Sequence, residues 1–389
     1  MFVDRKFSIL LVVSLFQGVA LSYTFFLLQA FSIERLGFGP LEVGLTIALT
    51  GLANALTQPI WGRLVERCNN RLLGALGIFS GGMFTYLVYS SQEPLQFYSF
   101  VALSSSMFGL ANTAWLDVIG EITTLTNRGK VSGLLNTTSN VGRAIFSPIA
   151  GYLMDVAGYE TSALVGFGAA IIASSFLTVF PKNYRVQLVS GEHEEAPQPS
   201  KAYRSFLIAS VIWSFIWSMA WPLFSVAQVK LFNLSKSQIG TIGMVANLVQ
   251  IVLQPVWGAA SDKYGRKPFL IITPALTSAV PFSYYFGKSF EHVLIGTGVG
   301  MVGFSMYFTI SPAYLLDAST EGRGRKISTF NALTSLTNAV APLIGGTLGE
   351  LVGVRTMMLV MGIIRLASVT IFTKIPETVK VEGGRAHGP

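Results

Sequence analysis

The chain has 389 residues, 51% of them hydrophobic and 12% charged, with a mean hydropathy of +0.56. A soluble domain carries about 25% charge, so this composition excludes an ordinary soluble globule and indicates a polytopic membrane protein. The formal net charge of +8 would suggest a nucleic-acid partner only if the basic residues formed a footprint, and a single cysteine, Cys68, rules out an intrachain disulfide.

A membrane-spanning helix needs about 20 apolar residues. Twelve such runs follow one another, at 7–31, 41–61, 72–90, 96–116, 131–154 and 161–180, then at 204–228, 238–257, 268–287, 292–315, 327–349 and 355–373. The first is too long for a signal-peptide core and lacks a small-residue cleavage pattern, so it reads as a retained span. Between the sixth and seventh runs lies a polar stretch containing Gly191-Glu192-His193-Glu194-Glu195-Ala196-Pro197. Acidic and poor in apolar residues, it reads as a linker. The expected organisation is a six-helix bundle at 1–180, a linker at 181–203, a second bundle at 204–375 and a tail at 376–389.

The two halves repeat each other. After the second run comes Gln58-Pro59-Ile60-Trp61-Gly62-Arg63-Leu64-Val65-Glu66-Arg67, and after the eighth Gln254-Pro255-Val256-Trp257-Gly258-Ala259-Ala260-Ser261-Asp262-Lys263. Gln58 and Gln254, Trp61 and Trp257, and Glu66 and Asp262 are each 196 positions apart. Alternate polar segments hold nearly all the Lys and Arg. The opposite set has only Arg35, Lys230, Lys236, Lys288 and Arg355, while Arg143 and Arg365 fall inside runs. By the positive-inside rule both termini and the linker are cytoplasmic. The positive charge is therefore topological and leaves no nucleic-acid footprint.

Twelve spans as six plus six, with a Gly-x-x-x-Asp-Arg-x-Gly-Arg-Lys type loop after the second and eighth, resemble the major facilitator superfamily, and in motif pattern its drug-efflux members. The resemblance implies an all-α membrane fold of two pseudo-symmetric six-helix bundles. It also implies that the loops latch the cytoplasmic side. The latch candidates are Gly62, Glu66, Arg67, Arg71 and Asp117 in the first half, with Gly258, Asp262, Lys263, Gly265, Arg266 and Asp317 in the second. The first copy departs from the motif, because Asn69-Asn70 stand where the pattern has Gly-Arg. The cations of these loops have neighbouring acids to pair with at Asp117, Glu121, Asp317 and Glu321. The alternative is that the loop charges only mark topology and keep the loops hydrated.

Ionisable residues inside the membrane are functional candidates by default. None of the acids lies near the middle of a run, so the sequence does not establish proton coupling; Asp117 is the nearest candidate. Arg143 lies near mid-depth of the fifth run, on one face with Asn136 and Asn140. The eleventh run repeats the stripe with Asn331, Ser335 and Asn338. A polar stripe must face protein or water rather than lipid. Trp217, Asn247, Gln250 and Tyr307 fall on runs that the resemblance places around the central cavity. The competing reading for the Asn and Gln residues is interhelical hydrogen bonding. For Arg143 it is an arginine that reaches the interface or backbone carbonyls. Arg365, in the last run, reads as snorkelling or packing. Pro148 and Gly151 are the only matches to the superfamily's antiporter motif, and the arginine usual in the fourth run of drug–proton antiporters is missing.

The sequence therefore predicts a secondary transporter of a small organic solute in the plasma membrane, working by alternating access, with efflux of amphiphilic compounds as the leading reading. A carrier for an anionic or polyhydroxylated solute, with Arg143 as anchor, is the alternative. Expected partners are the lipid bilayer and a small-molecule substrate, a coupling proton or ion is left open, and a monomer with no cofactor is expected. A sensor on this fold would need a regulatory appendage. An enzyme would need a metal cluster or a nucleophile–base constellation, and an ATP-driven pump a phosphate-binding loop; the sequence presents none of them.

Overall fold

A computed structural model describes residues 5–123, 128–180, 201–319 and 323–379. Most of the linker, the tail beyond residue 379, Glu321 and the side chains of Arg128 and Lys130 lie outside the described residues. Among the described residues the chain is wholly helical. The first half comprises α1 (Arg5–Leu21), α2 (Phe26–Leu36), α3 (Pro40–Arg67), α4 (Asn70–Tyr89), α5 (Pro94–Ile122), α6 (Arg128–Ala157) and α7 (Tyr159–Val179). The second comprises α8 (Lys201–Met219), α9 (Trp221–Val226), a π-helical turn at Ala227–Leu231, α10 (Lys236–Tyr264), α11 (Lys267–Thr277), α12 (Ala279–Phe286), α13 (Phe290–Asp317), α14 (Arg323–Val352), α15 (Val354–Ala367) and α16 (Val369–Thr373). Among the described residues, nine segments are long and apolar enough to cross a membrane. The runs in α5, α6 and α14 are continuous helices of 29, 30 and 30 residues diluted by polar side chains.

Four of the twelve apolar runs are broken helices. The first breaks between α1 and α2, where the Ser22 and Thr24 hydroxyls donate to the Gly18 and Leu21 carbonyls. The seventh breaks at Ala220, with Pro222 just beyond, the ninth at Ser278, with Pro281 beyond, and the twelfth at Ser368. A proline lacks the N–H that the carbonyl four residues earlier would accept. Thr277, four residues before Pro281, is thus left with a free carbonyl. Trp217 lies in the last turn of α8, next to the break at Ala220.

Contacts divide the chain into two compact units. One contains residues 1–190 and 225–248, the other 191–224 and 249–389. The segment 225–248 thus belongs by contact with the first unit although it follows the linker. In the first unit, α1 crosses α6 through two glycines: a Cβ on Gly18 would collide with the Ser139 carbonyl, and one on Gly142 with that of Leu15. Leu10, Val13, Ala111, Leu135, Ala170 and Leu177 form the core of that unit. In the second, Tyr203, Phe206, Trp213, Leu270, Ile310, Tyr314 and Phe372 form the core, and Gly345 of α14 approaches the Met219 carbonyl at the α8 break.

Candidate functional site

In the first unit, the mid-depth stripe of α6 ends on Arg143. Its side chain is half-buried, and its Nε is buried without a hydrogen-bond partner. No ion pair reaches it among the described residues. The Arg143 backbone carbonyl is occupied by the hydroxyls of Ser147 (2.7 Å) and Ser22 (3.4 Å). An arginine whose guanidinium meets neither an acid nor a carbonyl has donors to offer to something else. On the same stripe Asn136 is exposed and Asn140 half-buried. In the second unit Asn331 and Ser335 on α14 are exposed and Asn338 is half-buried, with its Oδ1 unpartnered. Such groups suit water rather than hydrocarbon. Asn247 is buried and turned onto its own helix, its Nδ2 donating to the Gly243 carbonyl at 2.7 Å; that is a packing role. Gln250, one turn on, is half-buried.

The second unit also holds an aromatic patch. Trp217 stacks on Phe304 at 4.8 Å, and Trp213 lies 6.0 Å from Trp217 and 6.3 Å from Tyr307. The Trp217 indole N–H is buried without a hydrogen-bond partner, while the Tyr307 hydroxyl sits among the hydroxyls of Ser210, Ser214 and Ser311. An unmet indole N–H among aromatic rings can bond the polar edge of a flat amphiphile.

Arg365 does not snorkel. It is fully buried in the second unit. Its guanidinium lies 4.3 Å from the centre of the Trp217 ring, donates to the Trp217 carbonyl at 2.9 Å and to the Thr277 carbonyl at 3.2 Å. Both carbonyls lie beside helix breaks, Trp217 in the seventh run and Thr277, four residues before Pro281, in the ninth. Chain stiffness explains the difference from snorkelling: a planar fork satisfies two fixed acceptors at once, whereas an interface-bound head would leave both bare. The signal available in the sequence was Pro281, which removes the helical donor to the Thr277 carbonyl.

The two motif loops close in related ways. In the second, Arg266 pairs with Asp262 at 2.6 Å, one helical turn back, and with Asp317 at 3.2 Å, and it donates to the Ser261 hydroxyl at 2.7 Å. Lys263 is exposed and rests on the Tyr264 ring. Gly258 packs lightly on Thr309. Gly265 has φ +90°, a left-handed conformation that only glycine adopts without cost. In the first copy Asn70, at the position of Arg266, donates to Asp117 at 2.7 Å and Glu121 at 3.0 Å, and Arg71 pairs with Glu121 at 2.7 Å. The asparagine thus makes the contact expected of the missing arginine. Gly62 has open space around it, and Glu66 and Arg67 are exposed. Sequence reasoning missed Glu377, whose carboxylate accepts the backbone N–H of Arg266 and Lys267, each at 2.9 Å, and so caps the start of α11. Its place just beyond the last span, near the motif loops, was the available hint.

A model of the major facilitator superfamily matches residues 10–226 and again 206–388. The chain belongs to the major facilitator superfamily. It is a multi-pass membrane transporter, not an enzyme, whose partners are the bilayer and a small-molecule substrate. It is 23% identical to multidrug resistance protein 1 of Bacillus subtilis over 328 residues, spanning 79% of this chain and 81% of that one. It is likewise 23% identical to multidrug resistance protein MdtG of Escherichia coli, across 82% and 80%. Its fold is similar to the crystal structure of the nucleoside transporter NupG, with a TM-score of 0.71 at 14% identity over 96% of this chain and 99% of that one.

Proposed function

We propose that this transporter moves small amphiphilic organic compounds out of the cell by alternating access. The observation that carries the reading is the aromatic patch of Trp213, Trp217, Phe304 and Tyr307 with the unmet Trp217 indole N–H, in a chain whose relatives bear the name multidrug resistance protein. The protein acts in the plasma membrane as a monomer, with its termini and motif loops on the cytoplasmic side, where the basic residues concentrate. The loops around Arg266–Asp317 and Asn70–Asp117 serve as the cytoplasmic latch. If a proton is coupled, Asp117 is the nearest acid, although Asn70 already occupies one of its oxygens.

One observation favours a second reading: Arg143 carries an unpaired cation at mid-depth. That suits an anionic or polyhydroxylated solute, bound between the guanidinium and the Asn136–Asn140 stripe. A thermal-shift series on the purified protein, with lipophilic cations, organic anions and sugars, separates the two. A ligand at a hundredfold excess over its dissociation constant stabilises by about 2.7 kcal/mol. Stabilisation by lipophilic cations, retained in Arg143→Gln, is the expected result. Stabilisation by anions alone, lost in Arg143→Gln, would replace efflux of amphiphiles with anion transport.

A further inference from the structure

A separate polar cluster gathers at the end of the first unit opposite its motif loop, and it joins residues from the two sequence halves. Asp155, near the end of α6, accepts the backbone N–H of Lys236 on Oδ1 at 3.1 Å and that of Ser237 on Oδ2 at 2.9 Å. These are the first two residues of α10, whose N–H groups have no helical acceptor and carry partial positive charge. The Lys236 ammonium reaches Glu34 Oε2 at 2.8 Å and Asp155 Oδ1 at 3.8 Å. The Tyr159 hydroxyl donates to the same Glu34 oxygen at 2.9 Å. The Lys236 ammonium and the Arg35 guanidinium lie 5.6 and 5.9 Å from the Tyr159 ring centre. A cleft of about 520 Å³, lined in part by Arg35, Tyr89, Tyr159 and Glu160, borders the cluster. Beneath it α6 and α10 touch through glycines: a Cβ on Gly151 would collide with the Lys236 carbonyl, and one on Gly240 with the Ser147 carbonyl.

We propose that this cluster is the outer latch of the transport cycle: Asp155, Lys236 and Glu34 fasten the start of α10 to α6 and α2, and are parted each time the transporter opens to that side. The inference rests on the alternating-access reading and on the orientation given above. Its chemistry suits repeated release. The Lys236, Glu34 and Asp155 side chains keep 22%, 27% and 25% of their exposure, so each charge can be rehydrated when the contact opens. A fully buried pair would strand a charge at every turn of the cycle. The capping carboxylate adds direction, because it holds one helix end in one register.

The test needs no substrate. In a Cys68→Ser background, a Ser147→Cys reporter sits buried at the α6–α10 crossing, and a membrane-impermeant maleimide is applied to intact cells. Loss of a capping group shifts a two-state balance by about 5- to 30-fold, and Asp155→Ala is expected to raise the labelling rate by that order. Lys236→Gln should raise it less, since the cap remains. Gly151→Leu wedges the same crossing apart without altering charge and should also raise it, which establishes that the reporter responds. An unchanged rate in Asp155→Ala alongside a raised rate in Gly151→Leu overturns the latch. A rise confined to inverted vesicles overturns the assigned orientation while leaving the latch in place. Failure of the efflux reading moves neither rate.

Discussion

Arg143 and Arg365 are both arginines inside spans, and their surroundings give them opposite roles. The two terminal nitrogens of Arg365 bond the Thr277 and Trp217 carbonyls and its guanidinium lies over the Trp217 ring, whereas the Arg143 guanidinium meets no acid or carbonyl among the described residues. Hydrogen bonds to charged groups contribute about 1.5–3 kcal/mol, so under the anionic or polyhydroxylated reading Arg143→Gln weakens substrate binding by about 10- to 100-fold with expression and folding intact, whereas an amphiphile held on the aromatic patch binds unchanged. Uptake or efflux kinetics measured in reconstituted vesicles check this; unchanged kinetics would make Arg143 structural. For Arg365 the conservative Arg365→Lys keeps the charge but not the fork, and leaves at least one carbonyl bare at about 1–3 kcal/mol. A clear fall in melting temperature in detergent, with ligand affinity unchanged in the fraction that remains folded, is the expected outcome. The sequence made Arg143 legible, because a cation among Asn residues at helical spacing is visible in one dimension. It left Arg365 ambiguous, because carbonyl acceptors have no letter of their own.

The element that best rewards close reading is the motif loop. Gly265 is constrained twice: its backbone is left-handed, and a Cβ would lie 2.5 Å from Glu377 Oε2. Gly265→Ala is therefore expected to cost about 1–2 kcal/mol from the backbone alone, with a further loss from displacing the Glu377 cap. Glu377→Ala should cost about 0.5–2 kcal/mol. The two losses share one structure, so the double variant should cost less than their sum; additive melting shifts would show that the cap and the turn act separately. The repeat predicted this loop from its residues, and the departure at Asn69-Asn70 looked like decay. Geometry reverses that impression, since Asn70 reaches both Asp117 and Glu121. The helix breaks were less legible. A run of apolar residues reads as one rod, and only Pro222 and Pro281, just beyond the breaks at Ala220 and Ser278, mark where two of them bend.

At the scale of the molecule, the two-fold repeat fixed the class of machine and the superfamily match agrees with it. What the repeat conceals is that segment 225–248 groups by contact with the first unit, although it follows the linker in sequence. A strand of polar letters such as Asp155, Lys236 and Glu34 gives no hint of that, because the three are far apart along the chain and meet only through the glycine-lined crossing. The two proposed latches also make a joint prediction. Asp262→Asn, which removes the 2.6 Å partner of Arg266, is expected to shift the population towards opening on the cytoplasmic side. Cysteine accessibility measured from both faces checks this, and unaltered accessibility would restrict Asp262 to local pairing.

Arg365 also has a consequence for synthesis. The Trp217 and Thr277 carbonyls emerge early in the second half, yet the side chain that donates to both is carried by α15, close to the end of the chain. While the ribosome is still working, α8 and α11 must reside in or beside the bilayer without the donor that bridges them. The second bundle therefore cannot settle until its last span has been inserted. A nascent chain stalled before α15 should remain a client of insertion factors or quality-control proteases, whereas one released just beyond it should escape them.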